Sequence, residues 1–85
     1  MRLVIAGRVQ GVFFRDSIRR AARNEGVSGW ASNREDGAVE VVLEGPPAAV
    51  RTVVQYCRIG PVRARVDRVD ERHEPTEGLR GFEIR

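Results

Sequence analysis

The spacing of apolar and polar residues predicts two helices, four strands and a short final strand. Strands are indicated where apolar residues run together or alternate with polar ones, and helices where they recur every three or four positions. Gly and Pro residues separate these segments. The predicted strands are residues 3–6, 27–33, 39–43, 62–66 and 82–84, and the predicted helices are residues 16–24 and 48–58.

This order predicts an α+β fold: a ferredoxin-like βαββαβ sandwich, with an antiparallel sheet of four to five strands and two helices on one face. In this fold the first and second strands run in the same direction, with the third between them. The loop after the first strand and the end of the second then lie at one edge of the sheet. Arg15 closes that loop, so we expect it near Asn33, the last residue of the second strand.

Three local patterns in the second half of the chain make narrower predictions. Val69 is out of phase with the fourth strand, so we expect a bulge or the end of pairing near residues 67 and 68. Glu40 and Glu44 alternate with apolar residues in the third strand, which places them on a solvated face. Cys57 lies on the apolar face of the second helix and is expected to pack in the core.

Composition limits the class of protein. The 85 residues, 41% of them hydrophobic and 32% charged, fit one globular domain over residues 1–85. No apolar run approaches the roughly 18 residues that span a membrane, and no signal peptide is visible, so we expect a cytoplasmic location. We also expect a monomer. The net charge of +3 is too low to indicate nucleic acid, but it favours a small anionic ligand.

The segment Gly7–Arg15, between the first strand and the first helix, holds the candidate chemistry. Its two glycines allow the backbone to curl, and Arg15 lies where the helix should begin. The N–H groups of a curled loop, a helix N-terminus and a guanidinium together form an anion site, most naturally for phosphate. The segment lacks the Gly-Lys-Ser/Thr of nucleotide-binding loops, so nucleotide binding is not expected.

Two segments resemble the signatures of a known family. The sequence GRVQGVFFR, at Gly7–Arg15, resembles the first signature of acylphosphatases, and GWASNREDGAV, at Gly29–Val39, resembles the second. Further similarity is found at Gly45, Gly60–Pro61 and residues 82–85. The resemblance covers essentially the whole chain. It departs at Ser32, and the chain begins so close to its first strand that we expect this strand to be short at its outer end.

The resemblance implies hydrolysis of acyl phosphates to a carboxylate and inorganic phosphate, without a metal, another cofactor or a covalent intermediate. It implies that Arg15 holds the phosphate and that Asn33 positions the attacking water. The backbone that binds phosphate, or other anions, would be that of Val9, Gln10, Gly11, Val12, Phe13 and Phe14. Neither signature has a His, Asp or Glu at a matching position, so we hypothesise that the substrate's own phosphate oxygens accept the proton of the water.

Other interpretations of the residues stay open without the resemblance. Asn33 alone fits an ordinary turn residue, and Trp30 fits packing near the site. Ferredoxin-like sheets also bind RNA, but the third strand here, residues 39–43, carries no aromatic residue. A metal-carrier domain of this fold would need a Cys-x-x-Cys motif, which is lacking. A module of a larger carbamoyl-transfer protein is less expected for a chain that begins with Met1.

Overall fold

The computed structural model describes residues 1–85, in which two helices cover one face of a five-stranded sheet. The elements in chain order are β1 (Arg2–Arg8), α1 (Phe14–Glu25), β2 (Ser28–Asn33), β3 (Val39–Glu44), α2 (Pro47–Cys57), β4 (Arg65–Arg72) and β5 (Phe82–Ile84). The strand order is β4-β1-β3-β2-β5. This confirms the ferredoxin-like α+β fold.

The sheet is antiparallel across its first four strands and parallel at one edge. β3 pairs in antiparallel fashion with both β1 and β2, so β1 and β2 run in the same direction. The fifth strand, β5, pairs with β2 in parallel, which makes the sheet mixed. The ends of β1 and β2 therefore lie at one edge of the sheet, as the chain order predicts.

A single apolar core lies between the sheet and the helices. Leu3 and Ile5 of β1 and Val39, Val41 and Leu43 of β3 are fully or almost fully buried, because alternate residues of a strand face the same side. The helices cover them with apolar residues at helical spacing. These are Phe14, Ile18 and Ala22 of α1 and Val50, Val53, Val54 and Cys57 of α2.

Both helices end where the sequence predicts, to within a residue, but α1 begins earlier. It starts at Phe14, two residues before the predicted start, so Arg15 belongs to its first turn. Gly26 ends α1 in the left-handed conformation, and Val27 N–H donates to the Ala22 carbonyl over 2.8 Å. The first strand also exceeds its prediction, since β1 spans seven residues and is not short.

The pairing of β1 with β4 contains the predicted bulge. Ala6 pairs with Arg68 and the next residue, Gly7, pairs with Val66, so Asp67 has no partner. A Cβ atom on Gly7 would overlap the Arg65 carbonyl oxygen, and its φ of 134° disfavours other residues.

The predicted start of the fourth strand is wrong. Val62 is fully exposed, and Ala64 N–H donates to the Pro61 carbonyl over 2.9 Å, so residues 61–64 form a turn. The strand begins at Arg65 instead. Val62 and Ala64 alternate as strand residues would, but Ala64 alone of the two packs against the core.

Glu44 is not on a solvated face. Its side chain is only 8% exposed, and its carboxylate accepts the N–H groups of Glu77, over 2.6 Å, and Leu79, over 2.9 Å. These donors lie in residues 73–81, which connect β4 at one edge of the sheet to β5 at the other. Glu40, on the same face, pairs with Arg2 and is half-buried. Neither helix is long and apolar enough to cross a membrane.

Candidate active site

The loop between β1 and α1 turns sharply through two left-handed residues. Gly11 has a φ of 73° and Phe13 a φ of 59°. Phe13 is the one residue other than glycine with a positive φ, and it lies directly before the helix. Such a conformation is uncommon for a bulky side chain, and strain of this kind is found most often at functional sites.

The backbone N–H groups of residues 9–16 donate to no acceptor within the protein. The first bond of α1 runs from Ser17 N–H to the Phe13 carbonyl over 3.1 Å, and Phe13 provides no side-chain cap. The donors of the loop and of the first helical turn are therefore free. Together with the helix dipole they offer an anion a row of N–H groups in a region of positive potential.

A cavity of about 300 Å³ lies beside this row of donors. It contains Arg15 from the first turn of α1 and Asn33 from the end of β2, which the structure thus brings together as the chain order predicts. The other residues that line it are Val9, Gly11, Phe13, Phe14, Asp16 and Ile84. Two residues of the predicted loop do not line the cavity: Val12 is buried in the core, and Gln10 turns elsewhere.

Arg15 is held at the cavity by a main-chain oxygen and not by a side-chain carboxylate. Its Nη1 atom donates to the main-chain oxygen of Arg85 over 3.0 Å. It forms no ion pair with an Asp or Glu side chain. The remaining donors of its guanidinium are free for bidentate contact with an anion.

Asn33 is exposed and ends β2 on the side of the sheet that carries the helices. It pairs with Val39, and Ala31, two residues earlier, is fully buried under the helices. Ser32, where the sequence departs from the signature, faces the opposite side because successive strand residues alternate. The departure therefore does not alter the cavity.

The side chain of Gln10 connects the β1–α1 loop to the turn that follows Asn33 through hydrogen bonds. Its Nε2 atom donates to the carbonyls of Arg34, over 2.7 Å, and Ala38, over 3.0 Å. Sequence reasoning assigned only the backbone of Gln10 to the site and missed these two side-chain hydrogen bonds, although the position of Gln10 in the first signature offered a signal. It also missed Ile84 and the main-chain oxygen of Arg85, for which no local pattern gives a sign.

The one thiol of the chain lies away from this cavity. Cys57 is fully buried in the core, and burial raises the pKa of its thiol to about 12. No cluster of three or more His, Cys, Asp or Glu side chains is arranged to hold a metal ion. The cavity therefore presents hydrogen-bond donors, one guanidinium, one carboxamide and the Asp16 carboxylate, which pairs with Arg19 over 2.9 Å.

Comparison with known proteins identifies the family of the chain. The family model for acylphosphatases matches residues 1–84. The chain belongs to the acylphosphatase family. It is 52% identical over 86 residues to an acylphosphatase from Rubrobacter xylanophilus, an alignment that covers all of this chain and 78% of that protein.

Solved acylphosphatase structures share the fold. The crystal structure of acylphosphatase from Bacillus subtilis has a TM-score of 0.92 and 34% identity, covering 98% of this chain and 93% of that one. The structure of an acylphosphatase from Coxiella burnetii has a TM-score of 0.94 and 32% identity, covering 99% and 88%. The resemblance of the two signatures is thereby confirmed, and the chain is an enzyme of a family that hydrolyses acyl phosphates.

Proposed function

We propose that the cavity between the β1–α1 loop and Asn33 is where acyl phosphates are hydrolysed, with Arg15 and Asn33 as its catalytic residues. The observation that carries this proposal is the placement of a guanidinium without an Asp or Glu partner and a row of free N–H groups in one cavity with a carboxamide. An acyl phosphate has the matching chemistry: an anionic phosphoryl group and a good carboxylate leaving group.

The phosphoryl group binds to the backbone of residues 9–15 and to Arg15. The N–H groups of the loop and the first turn of α1 contact its non-bridging oxygens, and the guanidinium adds a pair of charged hydrogen-bond donors. These donors are fixed before the substrate arrives, so they stabilise charge that develops in the transition state without reorganising. Loss of one such donor typically costs on the order of 100- to 1,000-fold in rate.

Asn33 orients the attacking water. A carboxamide does not accept a proton at neutral pH, so it serves through hydrogen bonds and not as a base. The water oxygen forms a bond to phosphorus as the bond from phosphorus to the carboxylate oxygen breaks. The proton of the water passes to a non-bridging oxygen of the phosphoryl group, and the products are a carboxylate and inorganic phosphate.

The reaction proceeds in one step without a metal or a covalent intermediate. The positive charge that phosphoryl transfer requires comes from Arg15 and the backbone donors, and positioning supplies much of the remaining acceleration. The two side chains most able to form an intermediate are poorly suited: Cys57 is buried, and the Asp16 carboxylate pairs with Arg19 over 2.9 Å. Residues 1–85 act in this proposal as one domain and as a monomer in the cytoplasm.

The test is hydrolysis of benzoyl phosphate in the presence of a chelator. We expect turnover well above the spontaneous rate in the native sequence, and losses of at least about 100-fold in Arg15→Ala and Asn33→Ala. Arg51→Ala, an exposed arginine of α2, serves as the matched control and should keep full activity. In oxygen-18-labelled water the label should enter phosphate and not benzoate. Label in benzoate, or full activity in the Arg15 variant, would overturn the proposal.

A further inference from the structure

Phe13 separates the catalytic cavity from a second one. Its side chain is 76% exposed, and with Asp16 it lines both the cavity of about 300 Å³ that holds Arg15 and a groove of about 510 Å³ along α1. The other residues that line the groove are Ser17, Arg19, Arg20, Arg23, Asn24 and Pro61. The groove and the catalytic cavity are therefore adjacent, with Phe13 and Asp16 between them.

The groove carries a net positive charge. Arg19 pairs with Asp16 over 2.9 Å, which neutralises the one carboxylate in the groove. Arg20 and Arg23 form no ion pair and are exposed. A groove with two free guanidinium groups attracts anions by charge and offers a carboxylate bidentate hydrogen bonds.

The spacing along α1 sets the length of a ligand that reaches from one cavity into the other. Asp16, which lines both cavities, lies four residues before Arg20 and seven before Arg23, so the three lie on one face of α1, with Arg23 about 10 Å along the axis at 1.5 Å per residue. Long helical side chains lean toward the N-terminus, which brings both arginines closer to Phe13. A short acyl group bound over Phe13 thus places its far end among them.

We propose that this groove selects acyl phosphates whose acyl group carries a second anionic group. This inference rests on the proposed function: the phosphoryl group binds at Arg15, the acyl group lies over Phe13, and Arg20 and Arg23 contact the distal anion. Asp16 does not oppose this binding, because its charge is satisfied by Arg19. The arginines of α1 thereby determine specificity, while the phosphate loop carries the chemistry.

The test compares two substrates of matched shape, 4-carboxybenzoyl phosphate and 4-carbamoylbenzoyl phosphate, which differ in the charge at the far end. The measured quantity is the ratio of their kcat/KM values. Because exposed ion pairs are weak, we expect about a threefold preference from each arginine, or a ratio of roughly ten in low salt. The ratio should fall toward one as the salt concentration rises.

Variants locate the preference. In the double variant Arg20→Gln, Arg23→Gln the ratio should drop to about one, whereas Arg51→Gln on α2 should leave it unchanged. A ratio near one in the native protein, or a ratio that the double variant does not alter, would overturn the inference while turnover of the carbamoyl substrate still supports the proposed function. Absence of turnover for both substrates would instead overturn both.

Discussion

Arg85, the residue after β5, fixes the position of Arg15 through its main-chain oxygen, which accepts a hydrogen bond from Nη1 over 3.0 Å. Three interactions hold Arg85 in place. Its N–H donates to the Ala31 carbonyl over 2.8 Å, its guanidinium lies 4.7 Å from the centre of the Trp30 ring, and it pairs with Glu83 over 3.0 Å. The Arg15 guanidinium, which we assign to phosphate binding, is thus positioned by the residue that follows the edge strand β5.

Deletion of Arg85 should weaken substrate binding more than substitution of its side chain. Deletion removes the oxygen that orients Arg15, so we expect KM for benzoyl phosphate to rise about tenfold, in line with the cost of one hydrogen bond to a charged group. Arg85→Ala keeps the main-chain oxygen and should raise KM by no more than about threefold, the loss of an exposed cation–π contact. Equal effects in steady-state kinetics would contradict this role for the oxygen.

Gln10→Ala should reduce turnover more than it reduces stability. The side chain joins the phosphate loop to the turn after Asn33 through two hydrogen bonds, so its loss lets the loop shift relative to the carboxamide. We expect kcat/KM to fall at least about tenfold, because small misplacements of catalytic groups are costly. Thermal unfolding should show a loss of about 1–2 kcal/mol.

Gln55→Ala removes an exposed glutamine from α2 and is the matched control for Gln10→Ala. It should change neither quantity. If Gln10→Ala lowered stability and left kcat/KM intact, the side chain would serve the fold alone and not the alignment of the site.

Sequence reasoning captured the elements whose pattern is local. The alternation of apolar and polar residues in β1 and β3 and the helical spacing in α2 show which side chains face the core. The fold, and with it the approach of Arg15 to Asn33, could therefore be predicted from these patterns. Asp67 was predicted to interrupt pairing for the same reason, since the phase of apolar residues changes there.

The failures share one cause, which is that a distant segment decides the outcome. The local pattern predicts a solvated Glu44 because the N–H groups that bond its carboxylate belong to Glu77 and Leu79, more than thirty positions later. Val62 alternates like a strand residue but has no neighbouring strand to pair with. The hydrogen bond from Arg15 to Arg85 joins residues seventy positions apart, and no local pattern predicts it.

Glu44 should contribute to acid unfolding. Hydrogen bonds from the N–H groups of Glu77 and Leu79 hold its pKa below the ordinary value of 4.5. A carboxyl group with a lowered pKa in the folded state stabilises the protein above its unfolded pKa, and this contribution is lost as pH falls through the folded value. We therefore expect the free energy of unfolding to decline below about pH 4.5.

Glu44→Gln should be less stable than the native protein at neutral pH and should lose stability less steeply on acidification, as measured by urea unfolding at several pH values. The control, Glu35→Gln, removes an exposed carboxylate from the β2–β3 turn and should follow the native curve. Parallel curves for the native protein and Glu44→Gln would contradict the assigned role.

Cys57 should be inert in the folded protein. Its side chain is fully buried, and burial raises the pKa of the thiol to about 12, so neither the thiolate nor access is available near neutral pH. We expect no labelling by a maleimide under native conditions and complete labelling in denaturant. Treatment of the folded protein should leave hydrolysis of benzoyl phosphate unchanged, and loss of activity on labelling would show that the thiol takes part.

In the proposed mechanism Arg15 and Asn33 have separate roles: Arg15 binds the phosphoryl group and Asn33 orients the water. The most direct test measures kcat for benzoyl phosphate together with the inhibition constant of inorganic phosphate. We expect Arg15→Gln to impair both, and Asn33→Ala to lower kcat by about 100-fold or more while the inhibition constant stays within about twofold of the native value. Unchanged phosphate inhibition in Arg15→Gln, or equal weakening in both variants, would contradict the account.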